Sequence, residues 1–338
     1  IRNSISWAVA CSRIVLLRLQ SSASYVLFIQ RSVTNVISPD ICTVLFAFQI
    51  LHIISSASPS VSHTPADTEN AKTFVFSAIP DQDEANLQER FDKVAVYLQA
   101  QLGIDVRYIP VKSYAAAVTA FRNNQVQLAW FGGLSGVQAR RLVPGSQAVA
   151  QGTEDPFFTS YIIAHSSSGI EPNDSFPAAI TGKTFTFGSK GSTSGRLMPE
   201  FFIRENLGDT PDKLFSKVGY SGDHSRTIAL VQSGAYQVGA VNYKVWDKQL
   251  AAGKIDSDKV KVIWRTPSYP DYQWTLRGDV NDSWGPDFQT RLTEALVGMD
   301  DPDLLASFPR SGFIAADNKL YQPILDTAIN VGIIDAGK

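Results

Sequence analysis

The segment Thr73–Gly133, TFVFSAIPDQDEANLQERFDKVAVYLQAQLGIDVRYIPVKSYAAAVTAFRNNQVQLAWFGG, decides the fold class. TFVFSAI has the composition of a strand, and the helical spacing of Leu87, Phe91 and Val94 predicts an amphipathic helix that ends at Gly103. VRYIPV predicts a second strand, a serine caps the helix YAAAVTAFRNN, and VQLAWF reads as a buried third strand. This β-α-β-α-β order predicts a doubly wound α/β layer with parallel strands.

The same alternation recurs after residue 165, with TFTFGS, VGYSG and VGAVNY as strands between predicted helices. Two similar α/β lobes are therefore expected. We assign residues 72–164 to lobe 1 and 165–266 to lobe 2. The stretch after Pro270 is too short for a third domain, so residues 267–338 are expected to return to lobe 1.

Residues 1–65 differ from the rest in composition and are interpreted as a leader. Residues 1–60 hold four Arg, no Lys, twelve Ser and one acid. The apolar run at residues 42–54 has the length of a signal-peptide core and is shorter than the ~20 residues that cross a bilayer. We expect cleavage between about 55 and 65. An uncleaved anchor and an organelle transit peptide are alternatives, and a misassigned upstream extension is another, since no Met precedes Met198.

Composition excludes several classes of chemistry. The whole chain of 338 residues has a formal charge of −2, and removing residues 1–60 leaves 26 basic and 31 acidic residues, a charge of −5. Such a balance gives no broad positive field, so nucleic acid is not expected as a partner. Both cysteines fall within the leader, and His165 and His224 are the only histidines after residue 71. No metal-ligand spacing, Walker loop or G-x-S-x-G motif occurs, so no metal and no cofactor are predicted.

Polar residues gather instead at predicted strand-to-helix turns. Ser192, Thr193 and Ser194 follow one strand, and His224 follows the next in the turn SGDHS. Hydroxyl groups and free N–H groups at a helix start can bind an anion, although a single turn of this kind is more often a plain helix cap. Three further features lie at predicted strand ends or helix starts. They are Tyr114, the turn WFGGLSG (130–136) and the pair Asp271 and Tyr272.

Several strings resemble the phosphonate/phosphite-binding proteins of ABC importers. They are AIPDQD (78–83), SYAAAVTAFRN (113–123), WFGGLSGVQAR (130–140), KTFTFGS with STSGRLMP (183–199), SGDH (221–224) and VIWRTPSYPDYQW (262–274). The resemblance covers about residues 73–300. It implies a two-lobed periplasmic binding-protein fold of the second type, with two chain crossings, expected near His165 and residues 265–267, and a ligand cleft between the lobes.

The resemblance also implies which side chains bind the ligand. They are Tyr114, Phe158, Ser192, Thr193, Ser194, His224, Asp271 and Tyr272. Phe158 stands where aminoalkylphosphonate binders have Tyr, and Tyr243 or Lys244 occupies a position that is acidic in those binders. Both differences argue against an aminoalkyl ligand. A third difference is that the acid Asp223 precedes His224, whereas in the family it follows the histidine. The resemblance therefore does not say which polar residue contacts His224 on the side away from the ligand.

The expected function is that of a monomeric, periplasmic solute-binding protein that delivers phosphite or methylphosphonate to an ABC permease. Phosphate remains an alternative ligand. A sensory ectodomain tethered by the leader is an alternative role. An enzyme on the same fold, with His224 and Asp271 as acid and base, is the remaining alternative. We expect no enzymatic activity.

Overall fold

The computed structural model describes residues 72–337, and the leader predicted at 1–65 lies outside them. In the described range no helix is long and apolar enough to cross a membrane. The strands, in chain order, are β1 Phe74–Ala78, β2 Val106–Tyr108, β3 Leu128–Phe131, β4 Gln147–Gly152, β5 Ser160–His165, β6 Thr184–Phe187, β7 Lys217–Tyr220, β8 Val238–Asn242, β9 Val260–Arg265, β10 Gln273–Leu276 and β11 Phe313–Ala315.

Helices alternate with these strands through most of the described chain. They are α1 Glu84–Leu102, α2 Tyr114–Arg122, α3 Gly133–Leu142, α4 Met198–Leu207, α5 Pro211–Leu214, α6 His224–Gln232, α7 Tyr243–Ala251, α8 Asn281–Trp284, α9 Phe288–Val297, α10 Pro302–Ser307 and α11 Gln322–Asn330. A π-helical turn, Thr193–Leu197, leads directly into α4. The amphipathic helix predicted from residue 87 is α1, and Gly103 ends it in the left-handed conformation with φ of 68°.

The strands form two sheets. The first has the order β11-β4-β10-β3-β1-β2, and the second has the order β7-β6-β8-β5-β9. Strands β1, β2 and β3 are parallel, as are β6, β7 and β8, which agrees with the predicted α/β class. We call the first sheet with its helices lobe 1 and the second with its helices lobe 2. The apolar core of lobe 1 is one cluster, whereas lobe 2 has a cluster on each face of its sheet.

The chain passes between the sheets twice. The first crossing is residues 153–159 and the second is residues 266–272. Phe158 and Tyr269 exchange two backbone hydrogen bonds of 2.9 Å, so the crossings run side by side as a short antiparallel ladder. Strand β10 pairs with β3 and β4, and β11 pairs with β4, so the segment after the second crossing lies in the first sheet.

The first change of sheet comes earlier in the chain than the predicted boundary between the lobes. Strand β5 pairs with β8 and β9, so the change of sheet falls before Ser160 and not at residue 164. For the same reason His165 lies at the far end of β5, opposite Val260, and not at a crossing. Local sequence pattern identified β5 as a strand, but the pattern carries no information about the sheet in which a strand pairs.

Candidate functional site

Five strand-to-helix turns converge between the two lobes. In open α/β sheets, ligands bind beyond the carboxyl ends of parallel strands, where helices begin. Here β2 leads to Tyr114, β3 to Gly133, β6 to Ser192, β7 to His224 and β8 to Asn242. The eight side chains predicted for the site are all buried, and none is more than 2% exposed. The surrounding lobes therefore exclude bulk water from these groups.

The Ser-Thr-Ser turn lies at the start of the helical segment that continues into α4. Ser192 is the N-cap, and its Oγ accepts a 2.9 Å hydrogen bond from the Gly195 N–H. Thr193 bridges the lobes, because its Oγ1 accepts a 3.0 Å bond from the N–H of Leu134 in lobe 1. The Oγ of Ser194 has no partner of hydrogen-bonding geometry among the described residues. Ser192 and Thr193 accept these bonds through oxygen and keep their hydroxyl protons, whereas within the described chain the Ser194 hydroxyl is free both to donate and to accept.

His224 is the first residue of α6 and is fully buried. Its Nδ1 accepts a hydrogen bond of 3.3 Å from the backbone N–H of Asn242. Burial lowers the pKa of His224 to about 3, so the ring is neutral at physiological pH and its proton resides on Nε2. That Nε2 has no hydrogen-bond partner in the described chain. His224 thus presents a neutral N–H donor, and Asn242, which the sequence did not single out, sets its tautomer.

Asp271 belongs to the second crossing. Its Oδ1 accepts a 2.9 Å hydrogen bond from the N–H of Gly133, and its Oδ2 is buried without a partner in the described region. Burial raises the pKa of Asp271 to about 7, and the hydrogen bond from the Gly133 N–H opposes the rise. The carboxyl group therefore changes protonation close to neutral pH.

Gly132 and Gly133 make the approach of the lobes possible. A Cβ at residue 132 would lie 3.1 Å from Asp271 Oδ1 and 3.2 Å from Thr193 Oγ1. A Cβ at residue 133 would lie 3.2 Å from the carbonyl oxygen of Pro270. A side chain at 132 would press on the Asp271 carboxylate and Thr193, and one at 133 would press on the backbone of the second crossing, so glycine suits both positions.

Tyr114 begins α2, and its hydroxyl is buried with no partner in the described residues. Burial raises its pKa well above the ordinary value, and the carboxylates of Asp81 and Asp271 raise it further. The hydroxyl therefore remains protonated and is a donor. Gly191 lets the Ser-Thr-Ser turn approach, since a Cβ there would lie 3.1 Å from Tyr114 Cβ.

The hydroxyl of Tyr272 is already used within the protein. It accepts a 2.9 Å hydrogen bond from Asn242 Nδ2 in lobe 2 and donates a 2.9 Å bond to Asp81 Oδ2 in lobe 1. The backbone N–H of His224 also donates a 3.0 Å hydrogen bond to the backbone carbonyl oxygen of Asp81. Tyr272 can therefore offer its ring to the cleft but not its hydroxyl proton. Asp81 is a second buried carboxylate that sequence reasoning missed, although it follows β1 directly within the quoted string AIPDQD.

Phe158 forms an aromatic wall with its neighbours. Its ring centroid lies 4.8 Å from that of Tyr243 and 5.4 Å from that of Tyr272. Tyr243 thus packs edge-on against Phe158. The structure places all eight predicted residues in or beside the interlobe cleft, with Phe158 contributing a ring and no polar atom.

The hydrogen bonds of the Tyr272 hydroxyl to Asn242 and Asp81 give a test of stability. We expect Tyr272→Phe to lower the free energy of unfolding by about 1–3 kcal/mol, because the buried Asp81 carboxylate loses its hydroxyl donor. Chemical denaturation measures the change. Tyr97→Phe is the control, because Tyr97 donates to the neutral carbonyl of Ala295 at 2.7 Å and its loss should cost less. Equal effects of the two substitutions would contradict a special role for the Tyr272 hydroxyl as donor to the buried carboxyl group of Asp81.

Comparisons with known proteins identify the family. The sequence model of the family described as ABC transporter, phosphonate, periplasmic substrate-binding protein matches residues 76–321. The chain is 37% identical over 287 residues to the probable ABC transporter phosphite binding protein PhnD1 of Prochlorococcus marinus, which covers 83% of this chain and 96% of that protein. It is 26% identical over 226 residues to the phosphonates-binding periplasmic protein of Escherichia coli, covering 65% of each.

A solved structure gives the same result. PhnD1 from Prochlorococcus marinus in complex with methylphosphonate superposes with a TM-score of 0.74 at 37% identity, over 78% of this chain and 99% of that one. The resemblance predicted from the quoted strings is confirmed, as is the two-lobed α/β fold. Sequence and fold agree: this chain belongs to the phosphonate periplasmic substrate-binding protein family of ABC transporters.

Proposed function

We propose that the chain captures a small phosphorus oxyanion, methylphosphonate or phosphite, between its lobes and delivers it unchanged to an ABC permease. The main observation is that four of the eleven buried side-chain polar atoms without partners in the described chain belong to the predicted site: Tyr114 Oη, Ser194 Oγ, His224 Nε2 and Asp271 Oδ2. Buried polar groups are almost always hydrogen-bonded, so their convergence in one cleft supports a polar ligand there.

The three donors suit an oxyanion. Tyr114, Ser194 and neutral His224 each offer one N–H or O–H group inside a site shielded from water. Hydrogen bonds to a charged acceptor contribute about 1.5–3 kcal/mol each, more than those to a neutral one. No surface field is needed, which fits a body whose formal charge is −5 after residue 60.

Asp271 supplies selectivity for a protonated anion. Its unpartnered Oδ2 can accept a hydrogen bond from the P–O–H of a singly ionised phosphonate or phosphite. Above the pKa of Asp271, which is about 7, sulfate brings no such proton, so its oxygen would face an ionised carboxylate. Repulsion between like charges in a buried site then disfavours sulfate.

The aromatic wall supports a ligand with three oxygens. Phe158 has no donor, and the hydroxyl proton of Tyr272 is committed to Asp81. The hydrogen of phosphite or the methyl of methylphosphonate can contact these rings without losing a hydrogen bond, whereas a fourth oxygen would be left without a donor.

The cellular role follows from family membership. We propose that residues 1–65 direct export, that the mature protein acts as a monomer in the periplasm, and that the two lobes together present a surface to the permease.

Calorimetric titration of the mature chain with methylphosphonate, phosphite, 2-aminoethylphosphonate, phosphate and sulfate tests the proposal. We expect methylphosphonate or phosphite to bind best, and at least about tenfold more tightly than phosphate, because one unpaired buried oxygen costs about 1–3 kcal/mol. The ligand should be recovered unchanged by phosphorus NMR. Failure of every phosphorus oxyanion to bind would refute the proposed function.

A further inference from the structure

A buried ion pair lies behind the aromatic wall and is not part of the site described above. Arg310 makes a two-pronged contact with Asp155, with Nε–Oδ2 of 2.9 Å and Nη2–Oδ1 of 2.7 Å. The Asp155 side chain is 0% exposed and that of Arg310 is 4% exposed. Burial alone disfavours the charged guanidinium, but Asp155 holds the pKa of Arg310 above its ordinary value. The pair is therefore charged and fixed in geometry.

The pair joins both crossings to the last part of lobe 1. Asp155 is in the first crossing, and its carbonyl oxygen accepts a 3.0 Å hydrogen bond from the N–H of Asp271 in the second. Its Oδ2 also accepts a bond of 2.9 Å from the N–H of Gly152. Arg310 lies shortly after the end of α10, and its Nη1 donates a 2.8 Å hydrogen bond to the Phe308 carbonyl oxygen. The backbone position of Asp271 is thus set through Asp155.

Arg310 also contacts the wall itself. Its guanidinium carbon lies 5.5 Å from the centroid of Phe158 and 5.4 Å from that of Tyr272, both within cation–π range. The space is closely fitted, because a Cβ at Gly152 would lie 2.5 Å from Asp155 Oδ2 and 2.6 Å from Arg310 Cδ. The planar guanidinium of Arg310 fills this space and contacts both oxygens of Asp155, whereas the ammonium group of a lysine can contact only one carboxylate oxygen well.

We propose that Arg310 and Asp155 are positioning residues for the phosphorus oxyanion, which they do not touch. They hold Asp271, Phe158 and Tyr272 in the arrangement that selects a protonated three-oxygen anion. The inference rests on the proposed function. It assigns a binding role to a part of the chain, after residue 300, that lies beyond the range of the quoted resemblance.

The chain contains a second pair of the same geometry, although its Asp279 is 44% exposed, and this pair separates positioning from simple stabilisation. Arg277 forms the same fork with Asp279, at 2.9 and 2.7 Å, donates to the Phe121 carbonyl at 2.6 Å and lies 5.9 Å from the Phe121 ring centroid. It follows Leu276, which pairs with Leu128 at the amino end of β3. Arg277 is therefore at the opposite end of that strand from the cleft.

The test compares Arg310→Lys and the double variant Asp155→Asn/Arg310→Gln with Arg277→Lys. The neutral double variant avoids leaving an unpaired buried charge, so it protects against simple failure to fold. Thermal unfolding is measured first, and titrations with methylphosphonate, phosphite, phosphate and sulfate are made at a temperature where each variant is folded.

We expect both Arg310 variants to bind methylphosphonate or phosphite at least about tenfold more weakly and to discriminate less against phosphate and sulfate. Arg277→Lys should lower the melting temperature while leaving affinity and selectivity unchanged. Wild-type affinity and selectivity in folded Arg310 variants would overturn the inference while leaving the proposed function intact. Loss of selectivity in Arg277→Lys as well would also overturn it. If the wild-type chain binds no phosphorus oxyanion, the proposed function itself fails.

Discussion

Replacing His224 with Asn is expected to weaken binding of methylphosphonate or phosphite about 100-fold, which corresponds to roughly 2.7 kcal/mol. The Asn carbonyl can still accept the hydrogen bond from the backbone N–H of Asn242, which approaches Nδ1 at 3.3 Å in the structure. What the substitution removes is the donor at Nε2. Because burial lowers the pKa of His224 to about 3, the loss is that of a neutral N–H and not of a positive charge.

His224→Gln is the informative companion, because its side-chain amide can place an N–H near the position of Nε2. We expect it to restore part of the lost affinity. His165→Ala is the control, since His165 lies at the far end of β5 and its Nδ1 contacts Ser167 Oγ at 2.8 Å. Calorimetric titration measures all three. Wild-type affinity in His224→Asn would contradict the assignment of a donor to this residue.

Asp271→Asn is expected to change both selectivity and pH dependence. Under the proposed function, the wild-type complex holds one proton between Asp271 Oδ2 and a ligand oxygen. When pH rises above about 7, where the pKa of Asp271 lies, carboxylate and ligand are both ionised and a proton must be taken up from solvent. Affinity should then fall, approaching tenfold per pH unit.

The Asn variant has no carboxylate to protonate and carries an amide donor instead. We expect its affinity to be nearly flat between pH 7 and 9, and its preference for methylphosphonate over sulfate to fall at least about tenfold, since like-charge repulsion is gone. His224 is neutral throughout this range and contributes no competing titration. Parallel pH profiles in wild type and variant, or unchanged rejection of sulfate, would remove the role given to Asp271.

In the ligand-free chain, Asp271 and His224 should make the free energy of unfolding change with pH in opposite directions. The raised pKa of Asp271 means that the folded state holds its proton more tightly than the unfolded state, so this contribution to stability is lost as pH rises from about 4 to about 7. The lowered pKa of His224 costs stability as pH falls from about 6.5 to about 3.

Much of this arrangement was readable from the sequence because short-range patterns encode it. Apolar spacing and a terminal glycine defined α1, and the N-cap serines at 113 and 192 marked the helix starts that carry Tyr114 and Ser194. The strings around those residues also carried the family resemblance. Each of these signals lies within a few residues of the feature that it predicts.

The parts that the sequence did not reveal depend on contacts between distant segments. Asp81 gains its role from the Tyr272 hydroxyl, 191 positions away along the chain, and Asp155 from Arg310, 155 positions away. The pairing of β5 with β8 likewise has no local signature. A carboxylate or an arginine at a surface-like position gives no sign, from its neighbours alone, that folding will bury it beside a binding site.

The order of segments in the two lobes has a consequence for how the protein folds. Lobe 2 is a single uninterrupted segment, whereas the first sheet joins β3 to β10 and β4 to β11 across more than a hundred residues. Closing such long loops is slow relative to forming local contacts. Arg310 completes the junction between the crossings only after nearly the whole chain is present. We therefore expect a chain shortened before residue 310 to lack this junction and, with it, the arrangement of Asp271, Phe158 and Tyr272 that the proposed binding site needs.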